Sequence, residues 1–407
     1  MRHIYKIYHE KSNSELNEIY YERFNYDSSV HLGLHIKPMS QPKRYELYYI
    51  PTNQLLNLIG DIHSVSNDFQ KTFENLPKVA QNQFINECLV EELYNTNDLE
   101  GIRSTREEIA RSTREIQLKV KSKKRFESMI KSYMSLLSNE IKLPQSPQDI
   151  RIIYDDITNG EIDQKELPDG DIFRKEATYV QKKSGSGKII HQGMTPEKDI
   201  ILAIEQLLNF MNKLTDIPLM IRVAIGHYVY GYIHPFYDGN GRTSRFISSL
   251  YLSNVLGEIC TLSLSRGCNT FRNKYLEAFE ITNSIRSCGE MNFFIECFLE
   301  IILSTLNQMN GELKEKNQLL NLANNKLLEE PIFKDKDDLY RNTMFVLAQN
   351  HFFDSGSGLS IKDLAEISGK SENTLRKVIK VLLELNLIEK RGERPAFYHI
   401  SQRYFEE

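Results

Sequence analysis

One short stretch, Ile233-His234-Pro235-Phe236-Tyr237-Asp238-Gly239-Asn240-Gly241-Arg242-Thr243-Ser244-Arg245, holds residue types that can share one reaction. His234, with an ordinary pKa of about 6.5, suits an imidazole that takes a proton from an attacking hydroxyl. Asp238 supplies a hard oxygen of the kind Mg²⁺ accepts alongside phosphate oxygens. Gly239, Asn240 and Gly241 can adopt the positive-φ geometry that turns successive N–H groups toward one point. At a helix start those donors and the dipole favour an anion. Arg242 and Arg245 lie three apart, so both reach the same anion. Base, metal ligand, anion nest and two arginines make a phosphate-transfer site. No single residue carries that reading. Asp-Gly-Asn-Gly alone is a tight turn, and a lone histidine at a helix end is a hydrogen-bonded structural group. Zinc ligation by His227, His234 and Asp238 fits no standard spacing. Neither a P-loop nor a dinucleotide fingerprint occurs.

The flanking sequence must hold this stretch in place. LMIRVAIGHYVYGYI has helical apolar spacing, and Pro235 disfavours helical geometry at His234, so a helix stops there. RTSRFISSLYLSNVL is helical again up to Gly257. The motif therefore sits on a loop between two helices, with Asn240 and Gly241 opening the second. Upstream, residues 80–140 read as helical, with Gly101 ending one helix and Ser104 to Glu107 capping the next. Thr96 and Glu100, four apart, share a helix face; read alone, Glu100 is a surface residue before a C-cap glycine. Lys119 to Arg125 reads as a solvated helix face. ATYVQKKSGSGKIIHQ predicts a β-hairpin around Ser184 to Gly187.

The remaining composition bounds the class. The chain has 407 residues, net charge −4 and five cysteines without a C-x-x-C pair. That favours reduced buried thiols and gives no electrostatic push toward nucleic acid or membrane. No signal-peptide core or membrane-spanning run occurs, so a cytoplasmic protein is expected. The organisation read from the chain is an α/β region at 1–80 and a helical body at 81–310. A connecting segment at 311–336 and a small domain at 337–407 follow.

The loop closely resembles the Fic family signature H-x-F-x-[DE]-G-N-G-R-x-x-R, with every specified position met. The resemblance extends over roughly 80–310. It implies a mainly α fold, a Fic-type helical bundle with a small β-hairpin flap, and transfer of AMP from ATP to Ser, Thr or Tyr of a protein. In the family's roles His234 is the base and Asp238 holds Mg²⁺. Gly239, Asn240 and Gly241 cradle phosphate oxygens, and Arg242 and Arg245 grip the β- and γ-phosphates. Gly241 speaks for nucleotidyl transfer, because Doc-type kinases carry Lys there. Tyr275 falls near the place of an aromatic beside the adenine. Two positions depart from the common pattern: Tyr230-Gly231, where many relatives have Phe-Glu, and Ser244, where Gly is common.

Thr96-Asn97-Asp98-Leu99-Glu100-Gly101 resembles the family's inhibitory motif [S/T]-x-x-x-E-[GN], which places a brake helix near 85–101. The resemblance implies that Glu100 pairs with Arg245 and displaces the γ-phosphate. In some relatives this glutamate serves removal of AMP, so a bifunctional or mainly de-AMPylating enzyme is an alternative. The hairpin resembles the flap that aligns the target, which is a protein bearing a hydroxyl, this chain itself included. Residues 360–400 resemble a winged helix-turn-helix, with Lys370, Asn373, Arg376, Lys377 and Lys380 able to face DNA. Such modules also dimerise, which leaves a homodimer open. The rival from another class is a DNA-binding regulator with a non-catalytic Fic domain.

Overall fold

The computed structural model describes every residue except 40, 121–123, 182–186, 188, 214, 355, 357, 394–395, 402 and 407. It begins with α1 (Ile4–Ile7), α2 (Asn13–Phe24), β1 (Val30–Ile36), β2 (Tyr45–Tyr49) and α3 (Asn53–Glu74). Next come α4 (Lys78–Glu100), α5 (Arg106–Gln117), α6 (Glu127–Leu137) and α7 (Pro147–Thr158). Strands β3 (Tyr179–Gln181) and β4 (Ile189–Gln192) lead to α8 (Glu197–Asn212), α9 (Leu219–Ile233) and α10 (Asn240–Leu256). There follow α11 (Leu264–Thr270), α12 (Arg272–Thr282), α13 (Asn292–Glu329) and α14 (Asp338–Phe353). Last are α15 (Ile361–Ser368), α16 (Glu372–Glu384), β5 (Ile388–Arg391), β6 (Phe397–Ile400) and α17 (Arg403–Glu406). The fold is mainly helical with small antiparallel hairpins, as the helical periodicity predicts.

The elements form two compact units that do not follow chain order. One joins Met1–Ser66 with Leu89–Asn307, the other Asn67–Cys88 with Gln308–Glu407. Residues 67–88 are held by the carboxy-terminal part. The Ala80 N–H donates to Gln349 Oε1 at 3.2 Å, Asn310 Nδ2 donates to Asp68 Oδ2 at 2.8 Å, and Phe84 lies edge-on to Phe353.

In the first unit α9 is the central helix. Its residues are buried on nearly every side, from Met220 through Tyr230 to Ile233, as expected of a helix that is apolar all round. It stops where Pro235 requires: His234 turns into the left-handed region at φ 53°. Gly239, at φ 78°, opens α10, and Gly257, at φ 79°, closes it. A side chain at 239 would crowd the Tyr154 ring and the Thr158 methyl, so α7 fixes the near wall of the loop. Upstream, α5 starts one residue later than the Ser104–Glu107 pattern predicts. Thr105 is the cap because its side chain accepts from the Glu108 N–H, which the alternative register would leave unpaired.

The second unit opens α15 with a Ser360–Asp363 capping box and ends it at Gly369, φ 65°. Ser371 caps α16, which turns Leu375, Val378, Ile379 and Leu382 inward. Strands β5 and β6 then pair from Ile388–Ile400 to Arg391–Phe397. All five cysteines are buried and free. No helix among the described residues is long and apolar enough to cross a membrane.

Candidate active site

The loop between α9 and α10 is held from within. The Asn240 side-chain oxygen accepts from the Phe236 N–H at 3.0 Å, and its amide donates to the Phe236 carbonyl at 2.7 Å. Asp238 Oδ1 accepts from the Gly239 N–H at 2.6 Å. Phe236 stacks on Tyr154 with centroids 3.7 Å apart and meets Phe173 edge-on. The Asn240 amide is thus committed to the shape of the loop. The Asp238 side chain is 44 % exposed and faces out from it.

Two arginines rise from the first turns of α10, and their partners differ sharply. Arg245 is buried and fully engaged. Its Nε donates to Thr96 Oγ1 at 3.0 Å, and its Nη2 donates to the Thr96 carbonyl at 3.1 Å and to Glu100 Oε1 at 2.9 Å. Burial opposes its charge, yet the Glu100 carboxylate more than offsets this and raises its pKa. Arg242 is fully buried too, but its Nε, Nη1 and Nη2 have no hydrogen-bond partner among the described residues. Its ion pair with Asp238 spans a long 3.6 Å, and burial lowers its pKa. A buried cation with three idle donors is costly unless an anion joins it.

Glu100 is the last residue of α4, and Gly101, at φ 82°, turns the chain away behind it. Its carboxylate lies over the first turn of α10. A Cβ on Gly241 would collide with Glu100 Oε1 and stand 2.8 Å from Arg245 Nη1. The structure therefore brings Thr96, Glu100, Gly241 and Arg245 together.

His234 is half-buried at the mouth of the same loop. Burial pushes its pKa down to about 4, helped by His191 and the Arg174 cation; the Gly231 backbone and Glu100 act the other way. At neutral pH the imidazole is uncharged and able to accept a proton.

Tyr275 is buried, and its hydroxyl and His227 Nε2 lie 2.7 Å apart. His227 Nδ1 lies 2.8 Å from Ser248 Oγ and 3.1 Å from Ser244 Oγ. Burial drives the His227 pKa down to about 3, so this ring is a neutral structural link. Among the described residues no cluster of three His, Cys, Asp or Glu side chains is arranged for a metal. Both departures from the signature have packing reasons. Ser244 bonds His227, and a Cβ at Gly231 would stand 2.6 Å from the Phe279 ring.

Three further buried residues support the site, and sequence reasoning gave two of them, His191 and Arg174, no place. Glu92 accepts from the Ser265 N–H at 2.8 Å, and burial raises its pKa to about 7. His191 on β4 reaches the Tyr232 carbonyl at 2.7 Å. Arg174 donates to the His234 carbonyl at 3.0 Å. No signal marks Arg174 among 51 lysines and arginines as the one to be buried here. The expected hairpin exists as β3 and β4, while Ser184 to Ser186 of its tip lie outside the described residues, as do 121–123 of the basic run.

This loop and its flanking helices match a known family model, Fic/DOC, over residues 144–252. Residues 144–252 are thus similar to the Fic/DOC family. Members of that family typically transfer a nucleoside monophosphate to proteins. The fold is similar to that of a Fic family protein from Desulfovibrio desulfuricans, with a TM-score of 0.52 and 16 % identity over 87 % of this chain and 98 % of that one. Weaker likenesses are to Fic-1 from C. elegans, TM-score 0.42, 19 % identity, 64 % of this chain and 74 % of that one. A Fic domain containing signaling protein from Bacteroides thetaiotaomicron has TM-score 0.41, 16 % identity, 63 % of this chain and 97 % of that one.

Proposed function

We propose that this protein is an adenylyltransferase that moves AMP from ATP onto a Ser, Thr or Tyr hydroxyl of a protein, and that Glu100 restrains it. The observation that carries the reading is the buried Arg242, whose three idle donors sit at the α10 start within the same loop as a neutral His234. Those donors fit phosphate oxygens, as does the open space above Gly241 once Glu100 leaves. Asp238 would hold Mg²⁺, which when bound neutralises phosphate charge.

In the reaction the target oxygen attacks the α-phosphorus and gives its proton to the His234 imidazole. The new oxygen–phosphorus bond replaces the one to the bridging oxygen, and pyrophosphate leaves with that electron pair. Gly241, in place of the lysine of Doc-type kinases, supports nucleotidyl rather than phosphoryl transfer. Glu100 takes the Arg245 donors that a γ-phosphate would need, which is the restraint. The test is intact-mass spectrometry of the Glu100→Gly protein after incubation with Mg²⁺ and ATP. An AMP adduct on this chain or on an added lysate protein supports the reading. A phosphate adduct alone would replace it with a kinase.

The second unit fits a winged helix-turn-helix, with Asn373, Arg376, Lys377 and Lys380 exposed on α16 and Lys370 exposed in the turn before it. Arg376 already pairs with Glu372 at 2.8 Å. A sequence-selective gel shift would support DNA binding; one that salt abolishes without sequence preference would oppose it.

A further inference from the structure

The last carbonyls of a helix have no partner within it. At the end of α9 and just beyond it, four consecutive carbonyls, Tyr232 to Pro235, are taken by the β3–β4 hairpin and the segment that precedes or follows it. Tyr232 O accepts from His191 Nε2 at 2.7 Å, Ile233 O from the Met194 N–H at 3.0 Å, His234 O from Arg174 Nε at 3.0 Å, and Pro235 O from the Arg174 N–H at 3.3 Å. The Arg174 guanidinium also donates to Met194 O at 2.7 Å and to Glu176 O. One fully buried cation therefore spans the segment entering the hairpin, the segment leaving it, and the carbonyl of His234. A cation at a helix C-terminus is favoured by the dipole. Gly193 allows the approach: a Cβ there would collide with Arg174 Nη2 and lie 3.1 Å from His234 Cβ. A second tie runs through Tyr237, whose hydroxyl accepts from the Glu176 N–H at 3.0 Å and donates to Asp169 at 3.0 Å.

We propose that Arg174 is a positioning residue that joins the roots of the hairpin to His234, so that target alignment and the base form one rigid body. The proposal rests on His234 serving as the base. A lysine cannot replace this arginine, because a single ammonium cannot span three carbonyls that a planar fork reaches. A base displaced by about 1 Å costs about 10²-fold in rate, whereas the arginines that hold phosphate are untouched.

The test uses Arg174→Lys and Arg174→Gln in the full-length Glu100→Gly protein. Self-modification turnover should fall about 10²-fold while Mg²⁺–ATP affinity by calorimetry stays unchanged. Turnover and affinity falling together, or neither falling, would overturn the proposal. Arg174→Lys is read if Arg174→Gln fails to fold by its thermal melt. A second readout does not need transfer: NMR titration of the His234 ring, assigned with His234→Ala. The charged and titratable groups acting on that ring are His191, Arg174 and Glu100. Losing the cation in Arg174→Gln should move its midpoint up, and an unmoved midpoint would count against the tie. Absence of transfer in the Glu100→Gly parent would refute the proposed function, and the titration would still decide the role of Arg174.

Discussion

The Glu100 carboxylate occupies the space that a side chain on Gly241 would need, at the first turn of α10. Glycine at 241 is thus what lets Glu100 reach Arg245 at 2.9 Å. In the proposed function the same bare backbone is the surface a phosphate would approach, so carboxylate and phosphate would compete for one place.

Removing the carboxylate should release the enzyme. Glu100→Gly is expected to raise turnover about 5–150-fold, the range of a coupling of 1–3 kcal/mol. Initial rates with wild type and variant side by side check this.

Gly241→Ala tests the crowding directly. Its methyl should cost about 1–3 kcal/mol of stability in the wild type and clearly less in the Glu100→Gly background, where only the end of the Arg245 side chain still crowds it. Chemical denaturation of the four proteins gives the interaction energy, and additive costs would contradict the contact.

Arg242 should trade stability for function. Arg242→Met removes a buried cation with idle donors, so the protein should melt at the same temperature or higher, by up to about 1–4 kcal/mol. Mg²⁺–ATP affinity should fall at least about tenfold. Thermal melts and calorimetric titration report the two effects separately.

The two lowered histidines set an acid limit. The unfolded chain takes protons on histidine at about 6.5, but folded His234 and His227 resist until about 4 and about 3. Their contribution to stability is therefore full above pH 6.5 and is lost as pH falls through that window. Melting temperature should drop between pH 6.5 and 4, and less steeply in His227→Gln. The acid limb of turnover should lie near pH 4 rather than 6.5, because the base is uncharged above its own pKa.

The loop was legible because its chemistry is contiguous: His234 to Arg245 is one turn and one helix start, and Pro235 and Gly239 announce both boundaries. The four-residue spacing of Thr96 and Glu100 placed them on one helix face, and only the resemblance to the inhibitory motif pointed them at Arg245. Arg174 and His191 were not, because they act on carbonyls, which every residue has, from positions far along the chain. The 22-residue helix Asn53–Glu74 was not singled out within the region read only as α/β, since its packing surface is set by distant partners. The grouping of residues 67–88 with 308–407 likewise depends on long-range contacts that no local pattern encodes.

The most direct test incubates wild type, Glu100→Gly and Glu100→Gly/His234→Ala with Mg²⁺ and lysate, using ATP labelled on the α-phosphate and, in parallel, on the γ-phosphate. Protein-bound α-label should appear with Glu100→Gly and vanish with His234→Ala, a loss of about 10²–10⁴-fold. Label from the γ-phosphate alone, or none from either, would contradict adenylyl transfer by this site.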